Sequence, residues 1–227
     1  MKNDDMLERF DVQSISAQLD AEAFAVLPGF FDADEARAMA TLLDAGRVTL
    51  GPDGGEFTYF DNAMPPQIMA RRDALYRWLA PLANRWNLLS GIDRVFPAEL
   101  DAFLETNRSA GQHRQQSHLC RLREGDRLGL HRHDEGEWIF PFQVVGLLSD
   151  PKRDFTGGEF VMTEQRPRMQ SRPMVVPLQC GDMAIIASAQ RPIQGAHGYY
   201  RGQIKHAISR VRSGERVGLE WIFHLTP

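Results

Sequence analysis

The stretch IFPFQVVGLL, residues 139–148, belongs to a series of short β-rich runs that fill the C-terminal half of the chain. Turn residues such as Gly157-Gly158 and Ser213-Gly214 separate these runs. Many short strands at roughly even spacing are typical of a sandwich or a jelly roll. The runs cover residues 119–122, 139–148, 159–163, 174–178, 183–187 and 217–225.

The N-terminal half is predicted to be mostly helical. Asp32 and Glu35 have the spacing of a capping box, and apolar residues recur at helical spacing after them. A second helical segment begins near Pro65-Pro66, and we expect Pro81 to kink or break it. The aromatic and aliphatic stripes on these helices indicate a scaffold that packs on a sheet rather than a cofactor site.

Helices followed by strands favour a single α+β, mainly β domain. We predict one domain over residues 1–227, in which residues 1–110 form a mostly helical scaffold and residues 111–227 form a β core. A chain of this length can bury a sizeable core without disulfides.

Composition is that of an ordinary globular protein, with 43% hydrophobic and 25% charged residues. No apolar stretch is long enough to cross a bilayer, and two cysteines are too few for a disulfide framework, so we expect a cytoplasmic protein without a membrane partner. The net charge of −4 argues against nucleic acid as a partner. The segment from Asp150 to Arg216 nevertheless carries a balance of +5, which suits a small anionic ligand or a solvated basic face.

Three of the seven histidines form a candidate metal site. His131 and His133 are two residues apart, so on an extended chain both side chains point to the same face. His206 lies far downstream, where a late strand can return beside an early one. Neutral imidazole is the commonest metal ligand, and open sites with three protein ligands suit a catalytic iron. Asp134 is a competing third ligand, and a solvated acidic turn is the alternative interpretation of the pair.

Several further motifs resemble the 2-oxoglutarate/Fe(II)-dependent oxygenases, in particular a bacterial prolyl-4-hydroxylase-like branch. The matching runs are ANRWN (83–87), FPFQ (140–143), LLSDP (147–151), DFTGGEF (154–160), EQRPRMQSR (164–172), GYYR (198–201) and HAISRVRSGER (206–216). The resemblance covers most of the chain. It implies a double-stranded β-helix, that is, a jelly-roll or cupin-like core, with the N-terminal helices packed outside it.

The same resemblance implies ligands and a cosubstrate. The family binds Fe(II) through a His-x-Asp/Glu pair and a distal His, which by position correspond to His131, His133 and His206. A basic residue about ten positions after the distal His binds the far carboxylate of 2-oxoglutarate in the family. Arg216 holds that position here, and its planar guanidinium can bind a carboxylate through two hydrogen bonds.

Three positions depart from the family pattern. His133 replaces the expected Asp, Gly218 replaces a Ser or Thr, and Leu122 replaces an aromatic residue. The first change leaves three neutral ligands around the metal, and the other two remove groups that would help to hold 2-oxoglutarate. We therefore expect metal binding to persist and the three changes to weaken the use of 2-oxoglutarate.

The resemblance predicts a non-haem Fe(II)- and 2-oxoglutarate-dependent dioxygenase of the hydroxylase type, which consumes O₂. Its substrate would be a small molecule or a peptide. One alternative is a three-histidine oxygenase that needs no 2-oxoglutarate. The other is a catalytically degenerate relative that binds a metal or a ligand.

Overall fold

The computed structural model describes residues 7–51, 53–60 and 64–227. Within these ranges, no helix has the length and apolar character needed to cross a membrane. The α-helices are α1 (Val12–Glu22), α2 (Ala33–Ala40), α3 (Pro66–Leu89) and α4 (Leu100–Ser109), and a 3-10 helix covers Thr41–Ala45. The strands are β1 (Phe24–Leu27), β2 (Val48–Leu50), β3 (Glu56–Tyr59), β4 (His118–Arg123), β5 (Leu128–His131), β6 (Phe142–Leu147), β7 (Phe155–Gly157), β8 (Phe160–Gln165), β9 (Arg172–Val176), β10 (Met183–Ala187), β11 (Gln190–Gly195), β12 (Gly198–Ile208) and β13 (Val211–Ile222).

The strands form two antiparallel sheets. The large sheet has the order β1-β10-β6-β13-β4-β3-β2, with β7 paired to β13. The small sheet has the order β11-β12-β8-β9, with β5 paired to β12. The prediction of a mainly β architecture with helices is therefore confirmed.

The N-terminal half contributes more to the sheets than its sequence pattern predicted. The capping box at Asp32 and Glu35 is present, and both of its reciprocal hydrogen bonds form. Pro81 lies inside α3 without ending it, so the helix continues to Leu89. The three short strands β1, β2 and β3 join the large sheet, and their three or four residues each are too short to give a clear alternating pattern.

Aromatic packing fixes the helices against the large sheet. The rings of Tyr76 on α3 and Phe140 lie 4.9 Å apart, and those of Trp86 and Phe142 lie 4.4 Å apart. Because successive residues of a strand point to opposite faces, Gln143 projects away from the helix that Phe142 contacts. Its amide contacts His206 of the small sheet. These two polar side chains therefore meet between the two sheets.

Candidate metal centre

The three predicted histidines converge on one point. His131 is the last residue of β5 and pairs in register with His206 on β12. Their ring centroids lie 4.1 Å apart. His133 follows β5, and its ring lies 5.2 Å from that of His131 and 5.5 Å from that of His206. The structure thus places the three histidines singled out in the sequence close together, while their role as metal ligands stays a prediction.

A fourth potential ligand, Glu220, completes this group. Each of the four side chains offers one ligand atom, and these atoms all lie within 4.8 Å of one another. A metal–nitrogen or metal–oxygen bond is about 2.1 Å long, so opposite ligands of one ion are about 4.2 Å apart. Small movements of the four side chains toward one another would therefore bring all four ligand atoms within bonding distance of a single cation.

Strand β13 of the large sheet supplies Glu220. Trp221, the next residue, packs on Phe30 and Phe31, with ring centroids 6.0 and 6.2 Å away. Alternation along the strand then points Glu220 to the opposite face, between the sheets. Glu220 is only 4% exposed, and an Oε2 atom lies 3.4 Å from Nε2 of His133.

The local hydrogen bonds and charges favour an ionised carboxylate in this group. Nδ1 of His131 donates to the carbonyl of Gly129 at 2.9 Å, which orients the ring and makes Nε2 the nitrogen that can face a cation. Burial lowers the pKa of His206 well below its ordinary value. Burial alone would raise the pKa of Glu220, but His133, His118 and His206 outweigh it, and the pKa falls below its usual range.

Several buried polar atoms around the four side chains have no hydrogen-bond partner among the described residues. They are Nε2 of His133, Nδ1 of His206 and Oε1 of Gln143. The amide nitrogen of Gln143 lies 3.3 Å from Nε2 of His206 and 3.5 Å from Glu220. Since buried polar atoms are rarely left unsatisfied, the donor set fits a bound cation with its water better than an empty core.

Glu220 adds a carboxylate to the three histidines that the sequence predicts as ligands. The sequence led us to expect three neutral ligands, whereas the structure places one buried carboxylate among the three imidazoles. The sequence does contain a signal for this carboxylate. Glu220 is an acidic residue inside the apolar run 217–225, four positions after Arg216, and residues at this spacing share one face of a strand.

Asp134 is not part of this group. Its carboxylate forms an ion pair with Arg132 at 2.5 Å, and Arg132 also donates to Gln203.

Arg216, the predicted cosubstrate anchor, is buried on the same face of β13 as Glu220. Its Nε donates to the carbonyl of Gly158 at 2.8 Å, and no carboxylate of the described residues forms an ion pair with it. Burial lowers its pKa. The side chain lines a cavity of about 270 Å³ whose wall also includes Phe160, Leu178, Lys152 and Glu159. A buried guanidinium without an anion is costly, so this cavity suits an anionic ligand.

The two remaining departures lie beside Arg216. Leu122 on β4 is directly opposite Arg216 on β13, and it is fully buried. A Cβ atom added at Gly218 would lie 2.7 Å from an Nη atom of Arg216. Gly218 therefore leaves room for the guanidinium in the place where the family pattern has a hydroxyl.

A larger cavity opens beside the histidines. It has a volume of about 540 Å³ and is lined by His131, His133, His118, Tyr59 and Phe57, among others. This volume is in the range of small-molecule binding pockets, which is about 300–1,000 Å³. The cavity therefore reaches two of the four candidate ligands, His131 and His133.

Comparison with known proteins identifies the family. A family model described as "Oxygenase, catalysing oxidative methylation of damaged DNA" matches residues 55–226. The chain belongs to this oxygenase family. An uncharacterized protein of Mycobacterium tuberculosis, matched in strains CDC 1551 / Oshkosh and H37Rv, is 39% identical over 153 residues. That match covers 67% of this chain and 66% of the mycobacterial protein, just under two thirds of its length.

Solved structures of oxygenases share the fold of this family member. A prolyl-4-hydroxylase of Pseudomonas putida superposes with a TM-score of 0.58 at 14% identity, over 94% of this chain and 99% of the other. An oxidoreductase of the 2OG-Fe(II) oxygenase family from Burkholderia pseudomallei gives 0.57 at 18% identity, over 96% and 92%. The chain therefore shares its fold with prolyl-4-hydroxylase-like oxygenases of the 2-oxoglutarate/Fe(II) type, as the resemblance predicted.

Proposed function

We propose that this oxygenase is a non-haem, mononuclear Fe(II) enzyme in which His131, His133, His206 and Glu220 hold the metal. The observation that carries the proposal is that the ligand atoms of these four side chains lie within 4.8 Å of one another. Buried polar atoms without a hydrogen-bond partner among the described residues lie around them. His206 and Glu220 come from different sheets, and we propose that the two sheets are the walls of a double-stranded β-helix.

The donor set would suit a divalent ion electrostatically. Three neutral imidazoles and one carboxylate leave a net charge of +1, the same as two histidines and one aspartate give in the family pattern. Glu220 thus restores the charge that the change to His133 removes. When bound, Fe(II) would supply O₂ activation and oxidation of the substrate, while the protein orients the reactants and limits water.

We further propose that 2-oxoglutarate is the cosubstrate and that Arg216 binds its far carboxylate. The support is the buried guanidinium that lacks a carboxylate partner among the described residues and lines a cavity. With Leu122 and Gly218 beside it, Arg216 would hold the anion without help from a neighbouring hydroxyl. Apart from chelation by the metal, we expect the affinity for 2-oxoglutarate to depend mainly on this one side chain.

Glu220 also supports a second candidate function, an oxygenase that does not use 2-oxoglutarate. A four-residue protein shell leaves fewer open positions for a bidentate cosubstrate than a three-residue shell does. The amide of Gln143, which lies against both His206 and Glu220, further fills the centre. In this alternative the metal and O₂ would act directly on a substrate bound in the cavity beside His131 and His133.

The substrate is proposed to enter the 540 Å³ cavity beside the histidines. Our sequence prediction favoured a small molecule or a peptide and disfavoured nucleic acid because of the net charge alone. The description of the matching family names damaged DNA, which weighs against that argument. We therefore keep nucleic acid among the substrates to be assayed.

Anaerobic titration with Fe(II), followed by 2-oxoglutarate, tests the proposal. We expect the visible charge-transfer band of a 2-oxoglutarate–Fe(II) complex in the wild type. The variant Arg216→Gln should bind Fe(II) but lose the band, whereas Arg212→Gln, an exposed position on the same strand, should keep it. Absence of the band together with substrate-dependent O₂ uptake would favour the second function. Metal binding without O₂ consumption against any substrate would favour a degenerate binding protein.

A further inference from the structure

A second cavity adjoins the one beside the histidines and is basic. Its volume is about 550 Å³, and it shares Thr49, Tyr59 and Gln116 with the lining of the first cavity. The two cavities therefore meet at a common wall. The remaining lining includes Arg47 and Arg114 but no acidic residue within the described ranges.

Within the described part of the chain, the two arginines have no acidic partner. Neither guanidinium forms an ion pair with another described residue, whereas Arg121 on β4 is paired with Glu56 on β3 and with Asp44 on the 3-10 helix. The chain as a whole carries a net charge of −4, so this positive site is local. Free guanidinium groups in a concave site are well suited to bind phosphate or carboxylate groups.

The backbone that carries the arginines is fixed by the fold. The amide of Arg114 donates to the carbonyl of Thr226 at 2.9 Å, and its own carbonyl accepts from the amide of Thr226 at 3.0 Å. Arg47 immediately precedes β2, which is paired with β3. Binding groups on such supported backbone hold a ligand in a more defined place than groups on free loops do.

Tyr59 connects the basic cavity to the metal centre. Its ring lies 5.4 Å from that of His118, and His118 is directly opposite Glu220 in the sheet. Burial and the charge of Glu220 raise the pKa of Tyr59, and Arg114 opposes them. The charges of Glu220 and Arg114 thus both act on Tyr59. Since Tyr59 lines both cavities, one substrate molecule that lies along its ring can occupy both.

We propose that the substrate carries an anionic group, a phosphate or a carboxylate, which Arg47 and Arg114 bind in the second cavity. The carbon to be oxidised would then lie in the first cavity, beside His131 and His133. This inference rests on the proposed function for its catalytic meaning, but the anion site itself can be tested without turnover.

Titration of the full-length, ¹⁵N-labelled chain with an anion provides the test. The Nε–Hε signals of the arginines would be followed by NMR as sodium phosphate or sodium succinate replaces sodium chloride at constant ionic strength. Signals missing in Arg47→Gln and Arg114→Gln assign the two groups. We expect saturable shifts of both signals, and the anion that binds more tightly identifies the phosphate or carboxylate chemistry.

Variants supply the controls. Each single variant, Arg47→Gln or Arg114→Gln, should weaken anion binding at least about tenfold when binding is followed through the signal of the remaining arginine, as expected from loss of one charge-assisted interaction of about 1.4 kcal/mol or more. The single variants Arg37→Gln and Arg108→Gln change the net charge equally at exposed helical positions and should leave anion affinity unchanged. Shifts no larger than those of Arg37 and Arg108, or no saturation with either anion, would overturn the proposal.

Metal binding separates this inference from the proposed function. Mn(II) affinity should be the same in the wild type and in Arg47→Gln/Arg114→Gln. A chain that binds phosphate through Arg47 and Arg114 but binds no metal would contradict the proposed function alone. A chain that binds the metal but shows no saturable anion site would contradict this inference alone.

Discussion

Replacement of Glu220 by glutamine removes the single negative charge of the candidate metal centre while keeping the size of the side chain. Glu220 is 4% exposed and lies within 4.8 Å of all three histidine ligand atoms. Glutamine can still occupy this space beside His133 and Gln143, so the metal-free fold should persist. The cation, in contrast, would lose its only charged protein ligand.

The loss of metal affinity can be bounded from below. Removal of a residue that merely supports a metal ligand costs about 10–100-fold in affinity, so loss of a charged ligand should cost at least about 100-fold, or 2.7 kcal/mol. At a metal concentration 100 times the wild-type Kd, binding stabilises the wild type by about 2.7 kcal/mol and a 100-fold weaker variant by about 0.4 kcal/mol. For a chain of this size, the corresponding rises in Tm are about 5–11 °C and about 1–2 °C.

Calorimetry can measure both quantities. The wild-type Kd for Mn(II) would be determined by titration, and thermal unfolding would then be recorded for each protein with and without the metal. Glu215→Gln, a half-buried position on the same strand, is the matched control and should keep the full metal-dependent rise in Tm. If Glu220→Gln gains as large a rise in Tm as the wild type, Glu220 is not a ligand and the reasoning is refuted.

Three further outcomes are expected. Adding His133→Asp to Glu220→Gln should recover part of the Mn(II) affinity by titration, because it returns one carboxylate to the site; no recovery would contradict the charge argument. Glu164→Ala should lower the free energy of unfolding in urea by about 3–5 kcal/mol, because it leaves the buried Arg191, 2.5 Å away, without its carboxylate partner; a loss below about 1 kcal/mol would show that this pair is not a major stabilising contact. Burial raises the pKa of Cys120 to about 12, so its thiol stays protonated at pH 8 and iodoacetamide should label it only after unfolding, as read by mass spectrometry; rapid labelling of the native chain would contradict its burial.

Much of the β core could be predicted because its signals are local. The run 183–187 coincides with β10, and the run 139–148 contains β6. β12, which carries His206, was not predicted, since its polar and glycine residues interrupt the apolar alternation. The short strands of the N-terminal half pair with distant partners, and such pairing leaves little local trace in sequence.

The candidate site was predicted in part for a similar reason. His131 and His133 share a face through simple strand geometry, and their link to His206 came from the family resemblance. Glu220 was missed although its spacing from Arg216 puts both residues on one face of a strand, because the packing of Trp221 is what shows that this face lies between the sheets. The importance of Gly218 also depends on a tertiary contact, the position of the Arg216 guanidinium.

Anomalous diffraction from crystals grown anaerobically with Fe(II) tests the account most directly. The account predicts one iron peak between His131, His133, His206 and Glu220, within bonding distance of all four side chains. A peak elsewhere, or one bound to the histidines while Glu220 points away, would contradict the proposed four-residue site.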